Sequence, residues 1–275
     1  MIVVTGATGN VGRPLVRALA AAGEPVTAVS RQVTAADLPP GVRPMAADLA
    51  EPAGLKAALD GAEALFLLLT GDLLAGGADP GGILDAARDA GVRRVVFLSS
   101  QGVATGRHPA GLEQAVTASG LDWTVLRPGG FHSNALQWAG TVRQQRLVAA
   151  PFGDVALPTV DPADIAEVAA VALRAPGHAG RTYELTGPEP VSPRRQAAAI
   201  GQALGEPVRF VEQTAEQARA HLLRFMPEPV VEATLAILGT PTAAEQRVSP
   251  DVAHVLGRPP RPFAEWARRT VDAFR

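Results

Sequence analysis

Three glycines near the start of the chain have the spacing of a phosphate-binding turn. Gly6, Gly9 and Gly12 follow an apolar run at residues 1–4 and precede a helix-forming run at residues 14–22. Glycine there permits a sharp turn, close approach of backbone N–H groups to a pyrophosphate, and close packing of helix on strand. The first step is one residue wider than in the G-x-G-x-x-G dinucleotide fingerprint. The pattern predicts a dinucleotide site at the helix N-terminus, with further contacts from Thr8, Asn10 and Val11.

The end of the second predicted strand, residues 24–30, indicates which dinucleotide binds. In dinucleotide folds an acidic residue here binds the ribose 2′-hydroxyl of NAD, whereas an arginine accommodates the 2′-phosphate of NADP. This chain has Ser30 followed by Arg31, and a hydroxyl beside a guanidinium suits a phosphate. We therefore expect NADP(H) to be favoured over NAD(H). The alternative is that Arg31 is an ordinary solvated arginine.

Small or polar residues also follow the other predicted strands, whose carboxyl ends meet at the ligand-binding edge of a parallel sheet. Asp48 either accepts a hydrogen bond from an adenine amino group or caps the predicted helix at residues 52–59. The other cofactor contacts expected at this edge are Leu49, Leu69, Thr70, Ser99, Ser100 and Pro128. The expected substrate contacts are Gln101, Phe131 and Asn134.

His132 is the candidate catalytic residue, because it follows a glycine turn predicted to lie beside the nicotinamide. An imidazole, with an ordinary pKa of about 6.5, suits a general acid. The alternative is a histidine that is hydrogen-bonded to the loop backbone. We expect no metal site, because the chain has no cysteine and no cluster of His, Asp and Glu with ligand spacing.

The elements that position these residues are predicted from the alternation of strand and helix patterns. Six strands alternate with helices, which indicates an α/β fold of Rossmann type, a doubly wound parallel sheet. The alternation breaks after residue 135. We expect an NAD(P)-binding domain over residues 1–135 and a small α+β substrate-binding region over 136–275, whose elements can interleave with the sheet. Asp161 is expected to cap a helix that begins at Pro162, and Tyr183 to be buried in a strand.

The composition argues against several other functions. The 275 residues are 47% hydrophobic with a net charge of −2, and the basic residues are scattered, so nucleic-acid binding is not expected. The apolar runs are too short to span a bilayer and no targeting segment is recognisable. We expect a cytoplasmic monomer or homodimer that acts on a small-molecule substrate.

Several motifs occur together along the chain. They are Thr-Gly-Ala-Thr-Gly-Asn-Val-Gly at 5–12, Ser30-Arg31, Ser99-Ser100, Ser-Gly-Leu-Asp-Trp-Thr-Val-Leu-Arg-Pro at 119–128 with Phe131 and Asn134 after it, and the segments 160–166 and 257–266. In these motifs the chain resembles the NmrA-like branch of the atypical short-chain dehydrogenase/reductase superfamily.

The resemblance covers the whole chain and implies an NADP-binding Rossmann domain with a small C-terminal substrate domain. It implies no single activity, because the group includes NADPH-dependent quinone reductases, relatives acting on isoflavone-like phenolics, and cofactor-sensing regulators.

One departure concerns the proton donor. Typical members of the superfamily carry Tyr-x-x-x-Lys on the fifth helix, where the tyrosine protonates a carbonyl oxygen. Here the one tyrosine is Tyr183 and the one lysine is Lys56, both outside the helix predicted at 110–119. NmrA-like proteins often have a histidine or lysine four residues before a glutamate; Glu113 matches that glutamate, but His108 precedes it by five. The resemblance therefore assigns no catalytic role to His108.

The resulting hypothesis is an NADPH-dependent oxidoreductase acting on a quinone, an enone or a similar small hydrophobic molecule. A reduced quinone oxygen is a weak base, so such a substrate depends less on a tyrosine acid. Two alternatives stay open: a non-catalytic NADP-sensing regulatory protein, and a non-redox biosynthetic enzyme on the same fold.

Overall fold

The main sheet of the protein contains seven parallel strands in the order β3-β2-β1-β4-β5-β6-β8. The computed structural model describes residues 1–69 and 79–275. Strand order reverses between β1 and β4, which is where a doubly wound sheet opens its ligand crevice. The strands are β1 (Ile2–Thr5), β2 (Val26–Ser30), β3 (Arg43–Ala46), β4 (Ala64–Leu67), β5 (Arg94–Leu98), β6 (Asp122–Pro128) and β8 (Arg181–Leu185), with β7 (Leu147–Ala150) and β9 (Arg209–Glu212) forming a separate parallel pair.

Helices cover both faces of the sheet and build the C-terminal part of the chain. They are α1 (Gly12–Ala21), α2 (Pro52–Leu59), α3 (Pro80–Asp89), α4 (Gln101–Ala104), α5 (Gly111–Ala118), α6 (Ala139–Gln145), α7 (Pro162–Arg174), α8 (Pro193–Leu204), α9 (Ala215–Leu222), α10 (Glu228–Gly239), α11 (Ala243–Gln246), α12 (Asp251–Leu256) and α13 (Phe263–Arg269). Turns of 3₁₀-helix lie at Ala35–Asp37, His132–Trp138 and Val271–Phe274.

The two faces of the sheet are packed by alternate residues of the same strands. Val4 points into a core shared with α1 and α7, whereas its neighbour Val3 points into a core shared with α2, α3 and α5. Strands buried on both faces read as continuous apolar sequence. This explains why the runs at β1, β4 and β5 were recognisable in the sequence.

The C-terminal region contributes directly to the sheet. β8 pairs in parallel with β6, with Thr124 opposite Arg181, and α7 packs beside α1. The sheet therefore draws on both sides of the boundary predicted at residue 135. A third apolar cluster, which includes Trp138, Phe263 and Trp266, lies among α6, α8, α13 and β7.

Two local expectations need correction, and one is confirmed. Asp48 does not cap α2: its carboxylate accepts the Ala50 N–H at 3.0 Å, and Glu51 holds the N-cap position. Tyr183 is only half-buried, with its hydroxyl 2.8 Å from His178 Nδ1. Asp161 does cap α7, accepting the Ala163 N–H at 2.9 Å.

Over the described ranges, no helix combines the length and apolar character needed to cross a membrane.

Candidate functional site

The glycine turn after β1 brings the start of α1 against the backbone of the turn itself. Strand β1 ends at Thr5 and leads directly into the turn. Gly6 has a φ of +62°, a backbone conformation that favours glycine. The Gly9 N–H donates to the Gly6 carbonyl oxygen at 3.0 Å. A Cβ on Gly12 would collide with that same oxygen. The close packing of helix on turn therefore depends on glycine at position 12.

The N-terminus of α1 is suited to an anion. Val11 occupies the N-cap without a side-chain hydrogen bond, and the first turn contains no acidic residue. No carboxylate in the first turn of α1 therefore neutralises the positive end of the helix, and this leaves the N-terminus free to bind an anion such as a pyrophosphate. The Val11 side chain is buried in the core and Asn10 is exposed, so Val11 can contribute only through its backbone.

A cavity of about 470 Å³ lies at the end of β2, lined by Thr8, Ser30, Arg31 and Gln32. The hydroxyl oxygens of Thr8 and Ser30 are 3.0 Å apart. Arg31 is exposed and has no ion-pair partner among the residues that the structure describes. Two hydroxyls and one available guanidinium form a lining that suits a phosphate group.

Sequence reasoning did not include Arg13, which contacts this part of the turn. Its Nη2 donates to the carbonyl oxygen of Thr8 at 3.3 Å, and Thr8 is one of the residues that line the cavity. Arg13 follows Gly12 directly in the first turn of α1, and this position was the signal that could have identified it.

The other residues expected to bind the cofactor lie at the same edge of the sheet, but with different exposure. Leu49 and Asp48 are half-buried after β3, Leu69 is buried after β4, and Pro128 is buried at the end of β6. Thr70 lies outside the described residues, as does most of the glycine-rich segment that follows it.

Ser99 is engaged by the protein. Its hydroxyl donates to Glu113 Oε1 at 2.5 Å, and the Arg127 guanidinium donates to both oxygens of the same carboxylate. Burial by itself would raise the pKa of Glu113, but the hydrogen bonds from Arg127 and Ser99 outweigh it and hold that pKa below its ordinary value. The Ser99 hydroxyl therefore faces α5, and the geometry does not favour it as a cofactor ligand.

Ser100 presents a different environment at the carboxyl end of β5. Its Oγ accepts the Gly102 N–H at 3.0 Å as the N-cap of α4, and the same atom lies 3.0 Å from His108 Nδ1. The hydroxyl and an exposed imidazole thus form a pair at the edge of the sheet where ligands bind.

His132 is not placed to act as a general acid. The residue is 1% exposed, its Nδ1 lies 2.9 Å from Thr159 Oγ1, and its Nε2 lies 3.3 Å from the Arg261 carbonyl oxygen. Its ring also packs edge-on against Phe263 and Trp266. Burial lowers the pKa of His132. These contacts favour the structural interpretation and argue against the catalytic hypothesis for this residue.

The three expected substrate contacts occupy different environments. Gln101 is buried, and its Nε2 donates to the Ala244 carbonyl oxygen at 3.4 Å. Phe131 is half-buried and packs against the core that the sheet shares with α1 and α7, whereas Asn134 is exposed. Of the three, Gln101 lies nearest to Ser100 in the chain and begins α4.

The structure also locates the two residue types of the usual catalytic pair. Tyr183 lies on β8, an edge strand of the sheet, and contacts His178. Lys56 is exposed on α2, the helix that follows β3, the strand at the opposite edge. They form no catalytic pair. Among the described residues, no group of three or more His, Asp or Glu side chains is arranged to hold a metal ion.

The doubly wound sheet and the glycine turn define a dinucleotide-binding protein. A family model described as NAD(P)H-binding matches residues 6–176, and the chain belongs to this family. The (4-alkanoyl-5-oxo-2,5-dihydrofuran-3-yl)methyl phosphate reductase of Streptomyces griseus is 40% identical over 283 residues, covering 100% of this chain and 99% of that protein. The NAD(P)H azoreductase of Xenophilus azovorans is 36% identical over 286 residues, with coverages of 100% and 99%.

Solved structures agree with this assignment. The NADPH-dependent quinone oxidoreductase of Escherichia coli, crystallised with NADPH, matches with a TM-score of 0.79 and 25% identity over 98% of this chain and 99% of that chain. NmrA, a negative transcriptional regulator crystallised with NADP, shares the fold with a TM-score of 0.77 and 21% identity, over 98% and 95%. The predicted fold, the NmrA-like resemblance and the general assignment as an NAD(P)H-binding oxidoreductase are thereby confirmed, whereas the preference for NADP(H) and the quinone or enone substrate stay predictions. The cofactor is NAD(P)(H), and the substrate is a small molecule.

Proposed function

We propose that this protein is an NADPH-dependent reductase of a small conjugated carbonyl compound, a quinone or an enone. The observation that carries the proposal is a pair of features at one edge of the sheet that suit anionic groups. One is the uncapped N-terminus of α1, and the other is the Thr8, Ser30 and Arg31 cavity at the end of β2. When bound, the reduced nicotinamide supplies a hydride; the protein supplies binding and orientation.

The substrate class is supported by the chemistry of the edge and by the relatives. The described residues contain no Tyr–Lys pair in contact, which favours substrates whose reduced oxygen is a weak base. The Streptomyces griseus relative is named for a ring with a 5-oxo group and an alkanoyl substituent, and the Escherichia coli structure is named as a quinone oxidoreductase. Both names describe electron-poor carbonyl compounds that accept a hydride.

NADPH oxidation with a panel of benzoquinones, naphthoquinones and cyclic enones tests this function. We expect acceptor-dependent loss of the reduced nicotinamide absorbance, with saturation in the acceptor. Calorimetric binding of NADPH in the absence of acceptor serves as the companion measurement. Binding without oxidation by any acceptor would contradict the proposal and favour the cofactor-sensing alternative.

Arg31→Ala tests the proposed preference for NADP(H). Loss of one charge-assisted hydrogen bond costs about 1.5–3 kcal/mol, so we expect roughly 10- to 100-fold weaker NADPH binding with little change for NADH. Titration calorimetry with both nucleotides measures the two constants. Arg17→Ala, a change of an exposed arginine on α1, is the matched control and should leave the NADPH to NADH ratio unaltered. An unchanged ratio in Arg31→Ala would remove Arg31 from the proposed phosphate site.

A further inference from the structure

The loop between β5 and α5 holds an imidazole in a defined position at the carboxyl edge of the sheet. The Arg107 and His108 N–H groups both donate to the Gly102 carbonyl oxygen, at 2.8 and 2.9 Å. The His108 ring lies directly on Gly102, where an added Cβ would come within 2.5 Å of its Nδ1. The loop closes on itself, and glycine at position 102 leaves room for the ring.

A third constraint fixes the orientation of the ring. His108 Nδ1 lies 3.0 Å from Ser100 Oγ, which is itself held by the Gly102 N–H. In the protonated imidazole, Nδ1–H donates to this oxygen, and the second N–H, at Nε2, remains available to another acceptor. His108 is exposed, and Nε2 has no partner within the described part of the chain.

The position of this loop in the fold matters as much as its internal geometry. Ser100 follows β5 directly, and β5 lies beside β4, which lies beside β1. A dinucleotide with its pyrophosphate on α1 and its 2′-phosphate beside β2 must extend its nicotinamide end in the opposite direction, toward β4 and β5. The exposed residue His108 therefore lies at the end of the sheet where the reacting atoms are expected.

We propose that His108 is the catalytic proton donor of this protein and that Ser100 and Gly102 position its ring; the inference rests on the proposed reductase function. In an enone, a hydride from the reduced nicotinamide forms a C–H bond at the β-carbon, and the electron pair of the double bond moves to the carbonyl oxygen. The Nε2–H bond of protonated His108 breaks as the O–H bond of the enol forms. The nicotinamide is oxidised by two electrons, the enone is reduced by two, and solvent returns the proton to His108.

This assignment differs from the one that sequence spacing suggested. His108 lies five residues before Glu113, so the motif spacing assigns it no role, and the sequence pattern favours His132 instead. The structure gives the two histidines different environments. His132 is buried with both ring nitrogens in hydrogen-bond contact, whereas His108 is exposed and, among the described residues, only its Nδ1 lies beside a partner, Ser100 Oγ.

His108→Ala provides the first test. We expect at least about 100-fold lower kcat with a cyclic enone, partial recovery of kcat when free imidazole is added, and unchanged NADPH binding by calorimetry. The loss should be smaller with a quinone, because the reduced quinone oxygen is a weaker base. His254→Gln, a change of an exposed histidine on α12, is the control and should keep wild-type kcat.

A binding measurement tests the same site without turnover. With NADP⁺ bound, para-nitrophenolate mimics the oxyanion of the reduced product, and its absorption spectrum reports binding. We expect His108→Ala to weaken this binding about tenfold or more, the effect of losing one charge-assisted hydrogen bond.

Two positioning variants separate this role from a merely structural one. Ser100→Ala should lower kcat with the enone while the KM stays close to wild type, and Ser100→Thr, which keeps a hydroxyl, should recover most of it. Gly102→Ala should displace the ring and lower kcat with unchanged NADPH binding. Thermal unfolding of each variant verifies that it is folded.

The outcomes distinguish the inference from the function on which it rests. If wild-type protein oxidises NADPH with an enone but His108→Ala retains wild-type kcat, the inference fails and the reductase function stands. Loss of NADPH binding in His108→Ala would assign the loop a structural role and also overturn the inference. If none of the tested acceptors supports NADPH oxidation by the wild-type protein, the proposed reductase function and the proposed proton donor fail together.

Discussion

His132 shows how strongly the chemistry of a side chain depends on its packing. An isolated histidine after a glycine turn has the right type and approximate position for an acid. In the folded protein its imidazole contacts Thr159, Arg261 and two aromatic rings, and burial keeps its pKa below the ordinary value. None of these partners is close to it in sequence, so no local pattern could have revealed them.

The stability of the protein should depend on pH through His132. Its pKa is lowered in the folded state, so the unfolded chain binds the additional proton as the pH falls below about 6.5, and stability is lost. Between pH 7.5 and 5.5 this loss can reach about 1.4 kcal/mol for one histidine. In His132→Gln, urea unfolding at the two pH values should show a smaller difference than in the wild type.

His178→Gln is the comparison for this experiment. Burial, with Arg94 and Arg181 nearby, also lowers the pKa of His178, but this side chain is much less buried, so its removal should flatten the pH dependence less. The groups Glu113 and Glu167 have lowered pKa values as well, and their contribution is lost only at more acidic pH. Equal pH dependence in wild type and His132→Gln would contradict the expected role of His132.

At the scale of elements, the turn between β1 and α1 sets the position of the first helix. Gly6 and Gly12 meet because the helix starts immediately beside the Gly6 carbonyl oxygen. The conformation of the turn and the direction of α1 are therefore coupled, and both determine where a pyrophosphate can lie.

Gly12→Ala should damage stability and nucleotide binding together. The added methyl group must displace the backbone of the turn, and overpacking of this kind costs about 1–3 kcal/mol. We expect lower stability in urea unfolding and a loss of NADPH affinity in calorimetry. Gly111→Ala, at the first residue of α5 where a Cβ would meet no atom within 4 Å, is the matched control. Tight NADPH binding by Gly12→Ala would show that the site does not depend on this packing.

The elements differ in how far their sequences determine them. The first strand, the glycine turn and the cap of α7 by Asp161 could be predicted, because each depends on residues within a few positions. The pairing of β8 with β6 could not, because the two strands are far apart in the chain and their contact is a property of the whole sheet. The same holds for Ser99, whose hydroxyl is directed by Glu113 on a neighbouring helix.

At the scale of the whole molecule, buried carboxylates on α7 tie the C-terminal segment to the sheet. Asp161 accepts a hydrogen bond from Arg269 at 2.5 Å. Asp164, whose side chain is fully buried, accepts from Arg258 at 2.7 Å and from the Arg261 backbone N–H at 2.7 Å, and also pairs with the Arg261 guanidinium. Since α7 packs on the sheet, these contacts join the last part of the chain to the cofactor-binding fold.

Asp164→Ala should release this connection. Removing one partner of a buried ion pair costs about 3–5 kcal/mol, and we expect a value near the lower end because Glu167 still pairs with Arg258 and Arg261. Urea unfolding measures the loss, and hydrogen exchange should increase within residues 258–269. Asp154→Ala is the control: its pair with Arg194 is largely exposed, so its removal should cost far less stability than removal of Asp164. Similar losses in the two variants, with exchange unchanged at 258–269, would mean that the buried carboxylate does not hold the C-terminal segment in place.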